Sequence, residues 1–372
     1  MSSVSAIALA QLNPHLGNIT ANVTRLLEAR RSAADAKAAV IVTPEMYLSG
    51  YPCDDLVLRS DFMGEVASGL QTLAAATADG GPAIIVGAPH EQEGVITNAV
   101  FVIDEGEIKA RRDKVNLPNY GVFDDKRNFT PGAMPGPVQL RGMRLGLPIC
   151  EDIWTADVIE CLAESGAEII ISLNASPFDL AKPDARMAHA VSRVHEAQIP
   201  LIYVNMVGGQ DELVYDGGSF VPGADGKLAA HLPSFSEATV TVQLGHDFGA
   251  LTITGQITPP DEGMAALYRG LTLGLRDYID KNGFPGVVLG LSGGIDSAIV
   301  AALAVDALGA DRAHAVMMPS PYTSQESLDD AADLASSHSS SHHGTITRSS
   351  DTMRTRPLVT PWFTDATPSL PV

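Results

Sequence analysis

The chain has 372 residues, of which 45% are hydrophobic and 18% charged, and its formal net charge is -20. That length accommodates two domains or one large one, with enough apolar residues for a sizeable core. So acidic a chain repels phosphate backbones, which excludes general nucleic-acid binding, although backbone N–H groups can still hold a phosphate locally.

The segment VSAIALAQL (4–12) reads as a first strand. Nothing basic precedes its short apolar run, so it reads as a strand rather than as a signal peptide. A helix is predicted through TRLLEARRSAADAK, and AAVIVTPE then returns to a strand ending at Glu45. PAIIVGAP (82–89) and NAVFVID (98–104) read as adjacent strands, and RLGLPIC (144–150) as another that ends on Cys150. AEIIISLNAS (167–176) and IPLIYVNMVGG (199–209) each follow a helical segment. Hairpin-like patterns come at 211–221 and 238–244. Strands alternating with helices and hairpins predict a mixed α/β sandwich with helices packed outside. No apolar stretch approaches the roughly 20 residues needed to span a membrane.

ITPPDEGM (257–264) has turn chemistry and reads as linker. A helix then runs to Gly283, followed by the strand GVVLGL (286–291), a glycine-rich turn, a helix and the strand AHAVMMP. This is the start of a βαβ unit. The expected division is a first domain over 1–247, a linker over 248–261 and a second domain over 262–335. Beyond Ala335 the composition turns abruptly to Ser, Thr, His and Pro with no apolar period, so 336–372 reads as a disordered tail.

Hydrolysing an amide needs a nucleophile, a base to activate it and a positive group to stabilise the oxyanion. Cys150 stands at a strand end, where an elbow exposes a thiol and can lower its pKa. Glu45 also ends a strand. Lys114 lies in a loop punctuated by Pro and Gly and carrying Tyr120, Phe123 and Phe129. Singly each signal is weak. Together, PEMYLSGYP (44–52), KVNLPNYGVFDDKRNFTPG (114–132) and GLPICEDIW (146–154) resemble the nitrilase, or carbon–nitrogen hydrolase, superfamily. That resemblance implies an αββα sandwich. It implies Cys150 as nucleophile, Glu45 as general base and Lys114 as oxyanion stabiliser or proton donor, with a backbone N–H near Cys150 assisting. The likeness is strongest to the glutaminase domain of glutamine-dependent NAD synthetases, which implies that Tyr120, Ser176 and Lys182 contact glutamine. Asp125 falls where many relatives carry a second carboxylate. Cys53 and Cys161 match no motif and read as packing residues. Three cysteines in all are too few for a disulfide framework and fit a reducing cytoplasm. The ten histidines show no metal-ligand spacing, and His338, His342 and His343 lie in the anomalous tail.

A second constellation is GLSGGIDSA (290–298), following a strand and opening a helix. Its glycines let backbone amides approach phosphate, and the helix N-terminus favours the anion. It resembles the pyrophosphate loop of ATP pyrophosphatases, so Gly290, Leu291, Ser292, Gly293, Gly294, Ile295, Asp296 and Ser297 are the expected ATP contacts in a Rossmann-like fold. The two constellations in this order imply glutamine hydrolysis feeding ammonia through a tunnel to ATP- and magnesium-dependent amidation of deamido-NAD. They also imply a cytoplasmic homo-oligomer that binds L-glutamine, ATP and deamido-NAD, no nucleic acid and no membrane, and holds no tightly bound cofactor or metal of its own. The resemblance is read as far as Ala335. The break there, inside a helical pattern, is what a shifted reading frame produces, a real but diverged tail being the alternative, and it leaves an incomplete synthetase domain of low stability. Two other readings stay open: a free-standing nitrilase-type amidase, and a non-catalytic remnant that binds nucleotide or an intact synthetase.

Overall fold

The computed structural model describes residues 4–247, 250–339 and 347–348. The chain forms two compact units, Met1–Lys281 and Asn282–Val372.

The first unit opens with β1 (Ala6–Gln11), α1 (Ile19–Asp35), β2 (Val40–Val42) and α2 (Ser60–Thr77). A meander follows, of β3 (Ala83–Gln92), β4 (Val95–Asp104) and β5 (Glu107–Asp113), then the short α3 (Asp125–Asn128). Next come β6 (Val138–Leu140), β7 (Met143–Gly146), α4 (Asp157–Glu164), β8 (Ile169–Asn174), α5 (Lys182–Ala197) and β9 (Leu201–Asn205). The hairpin β10 (Val207–Gln210) and β11 (Leu213–Asp216) leads to β12 (Phe220–Pro222), β13 (Leu228–His231), β14 (Ala238–Asp247), β15 (Ala250–Thr254) and α6 (Gly263–Lys281).

These strands form a seven-stranded sheet, β15-β14-β1-β2-β3-β4-β5, and a six-stranded sheet, β13-β12-β9-β8-β7-β6. The parallel neighbours β1–β2–β3 and β7–β8–β9 supply the middle of each. The period of two along a strand decides the layering. Ile7 and Leu9 of β1 pack between the sheets with Val40, Val42, Ile171 and Val204. Ala8 and Ala10, between them in sequence, face the other way with Leu26 of α1 and Leu70 and Leu73 of α2. On the far side of the second sheet, Ile170 and Tyr203 pack under Val158, Ile159 and Leu162 of α4 and Ala190 and Val194 of α5. The predicted αββα sandwich is therefore observed. Strands buried on both faces read as continuous apolar runs, which is why β1, β8 and β9 are plain in the sequence.

Two boundaries differ from expectation. The stretch read as linker contains β15, which pairs with β14 in the first sheet. The helix assigned to the second domain, α6, belongs to the first unit. Its Ala266 and Leu273 pack with Val207 and Phe235. Asp277 accepts N–H groups from Asn13 Nδ2 at 2.6 Å and Gly209 N at 2.7 Å. The approach is close enough that a Cβ on Gly209 would lie 2.9 Å from the Gly274 Cα. Turn-rich sequence marks a bend at 257–264, and only packing says on which side of that bend the next helix docks.

The second unit contains β16 (Val287–Gly290), α7 (Ile295–Leu308), β17 (Ala313–Met317), α8 (Gln325–Ser339) and β18 (Thr347–Arg348), with the strands parallel in that order. Leu291, Met317 and Ala331 form its small apolar cluster. Val288 is 73% exposed and Ile295 71% exposed, so apolar side chains on β16 and α7 lack cover among the described residues. Helix α8 continues past Ala335 to Ser339. Apart from Thr347–Arg348, the tail expected beyond that helix, with His342 and His343, lies outside the described residues, as does the His338 side chain.

Candidate active site

Glu45 follows β2, Lys114 follows β5 and Cys150 follows β7. Ligand sites in α/β sheets form beyond the carboxyl ends of strands, and three segments far apart in sequence converge there. The segment bearing Glu45 crosses directly over β3. A Cβ on Gly87 would lie 2.4 Å from the Met46 amide nitrogen, so that crossing requires glycine. Strand β7 stops at Gly146, earlier than predicted, because Pro148 has no N–H to continue the ladder. Cys150 then begins a 3-10 turn with φ +45°, a left-handed conformation costly for a side-chain-bearing residue.

The three side chains meet as predicted and are all buried. Lys114 Nζ donates to Glu45 Oε1 at 2.8 Å and to Asp125 Oδ2 at 2.8 Å. Asn98 Nδ2 donates to the same Glu45 oxygen at 2.7 Å, and the Ala175 amide donates to Glu45 Oε2 at 2.9 Å. Tyr51 donates to Asp125 Oδ1 at 2.8 Å. Burial alone would depress the Lys114 amine, but the Glu45 and Asp125 carboxylates outweigh it and hold the amine well above the usual lysine range. Two of its three protons are committed to those carboxylates, which leaves one for a ligand.

Cys150 departs from the expectation of a lowered pKa. Burial, then the negative charge of Glu45, push its thiol well above the ordinary range, against the opposing pull of Lys114. The resting group is a neutral thiol. Ionising it would add a negative charge beside two carboxylates and one ammonium. Passing its proton to a carboxylate would leave the total charge of the cluster unchanged.

A rim of polar groups lies next to the cluster. Tyr120, 49% exposed, donates from its hydroxyl to Glu151 at 2.9 and 3.0 Å. Burial raises the Glu151 carboxyl above its usual range, opposed by the Tyr120 hydrogen bond and the charges of Lys114 and Lys182. Lys182 Nζ lies 4.3 Å from the centre of the Trp154 ring. Ser176 is placed differently. It is buried, and its Oγ accepts from Arg186 Nε at 3.0 Å, in a network completed by Arg186 Nη1 to Asp216 Oδ1 at 2.7 Å. Its side chain belongs to that buried ion pair rather than to the rim with Tyr120 and Lys182.

Sequence reasoning missed Asn98, Tyr51, Glu151 and Asp152. Asn98 opens an apolar strand pattern that gives no hint of a polar partner across the sheet, and its Oδ1 is buried with no hydrogen-bond partner among the described residues. Glu151 could have been flagged, since a carboxylate directly after a candidate nucleophile is unusual core chemistry.

In the second unit, the loop between β16 and α7 is lined by hydroxyls and backbone amides. Ser297 Oγ donates to Ser292 O at 3.0 Å, the Gly294 amide donates to Ser292 Oγ at 3.2 Å, and the Gly293 amide donates to Ser327 Oγ at 3.1 Å. Gly294 caps α7, so the loop amides stand at a helix N-terminus. The Gly293 and Gly294 amides are paired with these hydroxyls. Among the described residues no group of three or more His, Cys, Asp or Glu side chains is placed to hold a metal. No helix among the described residues is long and apolar enough to cross a membrane.

Comparison with known proteins also divides the chain in two, with most of α6 falling in the second family's match although it packs in the first unit. The carbon–nitrogen hydrolase family matches residues 6–250, and the NAD synthase family matches residues 267–356, past the Ala335 at which the motif resemblance was read to end. A glutamine-dependent NAD(+) synthetase of Rhodobacter capsulatus is 46% identical over 332 residues, covering 88% of this chain and 60% of that protein. One from Thermotoga maritima is 38% identical, covering 88% of this chain and 63% of that protein. The chain thus spans about three-fifths of the length of these curated relatives. A solved glutamine-dependent NAD+ synthetase from Acinetobacter baumannii, in complex with ADP, superposes with a TM-score of 0.86 at 37% identity, covering 93% of this chain and 65% of that one. A Nesterenkonia amidase with acrylamide added at its active-site cysteine superposes with a TM-score of 0.58 at 26% identity, covering 66% of this chain and 94% of its own. With the buried Glu–Lys–Cys cluster in the αββα sandwich and a family match over two-thirds of its length, the chain belongs to the carbon–nitrogen hydrolase family.

Proposed function

We propose that the first unit hydrolyses the side-chain amide of L-glutamine and that the second uses ATP to spend the released ammonia on amidating deamido-NAD to NAD. The observation that carries the first half is the Lys114 ammonium held between Glu45 and Asp125 beside the Cys150 thiol. The sulfur attacks the carboxamide carbon as the thiol proton passes to Glu45. The oxyanion takes the remaining Lys114 N–H together with a backbone amide. Collapse returns the proton from Glu45 to the leaving nitrogen, releasing ammonia and a thioester. Glu45 then deprotonates water, which attacks the thioester carbon. Glutamate departs and the sulfur recovers a proton. At the rim, Glu151 and Tyr120 suit the α-ammonium of glutamine and Lys182 its α-carboxylate. Ser176 contributes through the backbone beside Glu45 and the Arg186 network.

For the second half, the Gly290–Ser297 loop cradles ATP phosphates, with Leu291 and Ile295 as its apolar flanks and Asp296 in the first turn of α7. Magnesium arrives as the ATP complex. The names and folds of the synthetase relatives support this reading. It also carries a homo-oligomeric, cytoplasmic protein, where Cys53, Cys150 and Cys161 stay reduced.

Glutamate and ammonia release from L-glutamine, compared between the protein and Cys150→Ala, tests the first half. ATP- and deamido-NAD-dependent NAD formation tests the second. The reading fails if Cys150→Ala releases ammonia at the unaltered rate. A free-standing amidase is the second reading, favoured by the coverage of nearly the whole Nesterenkonia amidase by this chain. Turnover of short aliphatic amides in preference to glutamine selects it.

A further inference from the structure

Asp152 lies two residues beyond Cys150 and is 1% exposed. Its carboxylate receives three backbone N–H groups. Asn116 N donates to Oδ1 at 2.7 Å, Val115 N to the same oxygen at 3.2 Å, and Ile149 N to Oδ2 at 2.9 Å. Val115 directly follows Lys114, and Ile149 directly precedes Cys150. One carboxylate therefore joins the chain just past Lys114 to the chain just before Cys150.

The two ends differ in their own support. Lys114 follows β5 with its backbone paired on both sides, its N–H donating to Asn98 O at 2.8 Å and its C=O accepting from Gly132 N at 2.7 Å, whereas Cys150 stands where β7 has ended. Cys150 also holds a left-handed backbone conformation that persists only when its surroundings over-determine it. Among the ladder contacts of the described residues, the elbow has the single bridge from Ile149 to Leu173. A buried carboxylate that receives amides alone is poorly placed to stabilise the fold, since burial pushes its pKa up to about 6 despite the three N–H groups and the charge of Lys114. Its geometry, by contrast, is specific: each oxygen serves a different segment.

We propose that Asp152 is a positioning residue of the amide-cleaving site, setting the spacing between Lys114 and Cys150 by holding Val115–Asn116 on one oxygen and Ile149 on the other. The proposal rests on the reading of Glu45, Lys114 and Cys150 as the amide-cleaving cluster. Removing one acceptor frees one segment from the other.

The test uses the full chain with Asp152→Asn and Asp152→Ser. Asn keeps the size but turns one acceptor into a donor facing an amide. Ser keeps a single short oxygen. Glutamine hydrolysis is measured as kcat and KM per folded protein, with Tm recorded alongside. Alkylation of Cys150 by iodoacetamide is followed on its own peptide by mass spectrometry. Misplacement of reacting groups by about 1 Å costs about 100-fold. The expected result is kcat down about 10- to 100-fold with KM within about twofold. Alkylation of Cys150 changes by more than threefold, and Lys114→Ala costs much less in the Asp152→Asn background than alone, because the two act as a unit. Unchanged kcat and alkylation per folded protein overturn the proposal, as does strict additivity with Lys114→Ala. If the unaltered chain fails to hydrolyse glutamine, the glutamine reading falls alone, and the alkylation rates still decide the role of Asp152.

Discussion

Lys114 Nζ and Glu45 Oε1 are 2.8 Å apart, and both side chains are 1% exposed. Such a pair is held by mutual neutralisation, because either charge alone would face the full cost of desolvation. Asp125, 3% exposed, is the third member and relies on the same ammonium.

Lys114→Ala therefore leaves two buried carboxylates without a cation. Breaking a buried pair in this way costs about 3–5 kcal/mol. Urea unfolding should show a loss of that size, and glutamine turnover should fall by about 100- to 1000-fold. The Cys150 thiol, which Lys114 pulls down, should ionise at still higher pH. A Lys114→Ala protein of undiminished stability would mean the cluster is not charged as described.

Asp152 gives a prediction with a definite pH window. Its folded pKa, about 6, lies above the model-peptide value of 3.8. A raised pKa means that the folded state binds the proton more tightly, so the contribution is fully present below 3.8 and is lost as pH rises through 6. The stability of the unaltered chain relative to Asp152→Asn should accordingly rise as pH falls from 7 toward 4. The full linkage is worth about 3 kcal/mol. Urea unfolding of both proteins at half-unit pH steps measures it, and a flat difference contradicts the assignment.

The rim residues predict a split in kinetics. Glu151→Gln and Lys182→Ala should raise KM for glutamine about tenfold or more, since each removes a charge suited to one end of the amino acid. Alkylation of Cys150 by neutral iodoacetamide should change little in Lys182→Ala, and should if anything quicken in Glu151→Gln, because the Glu151 charge helps to hold the thiol up. Equal losses in both measurements would place these side chains in the chemistry instead.

For α6, the prediction concerns the boundary. Asp277 is 7% exposed and accepts from Asn13 and Gly209, so Asp277→Ala strands two donors and should cost about 1–3 kcal/mol. A chain ending at residue 281 should melt higher than one ending at residue 261. Equal melting temperatures would show that α6 is an appendage to the sandwich.

The sequence by itself determined the layered sandwich and the identity of the central residues. Apolar runs at β1, β8 and β9 and the flanking words around Glu45, Lys114 and Cys150 are local signals, and local periodicity survives folding unchanged. The glycine-rich turn before α7 was legible for the same reason. Tertiary structure alone decided everything that depends on which distant segments meet. It brought Asn98 to Glu45, Tyr51 to Asp125 and Glu151 to Tyr120, and it turned the Ser176 side chain toward Arg186. It also reversed the expected thiol pKa, because burial and a neighbouring carboxylate are properties of the assembled site rather than of the elbow sequence. Helix α6 docked on the first unit for a reason no window of sequence contains: Gly209 and Gly274, far apart in the chain, leave just enough room for the two backbones to touch.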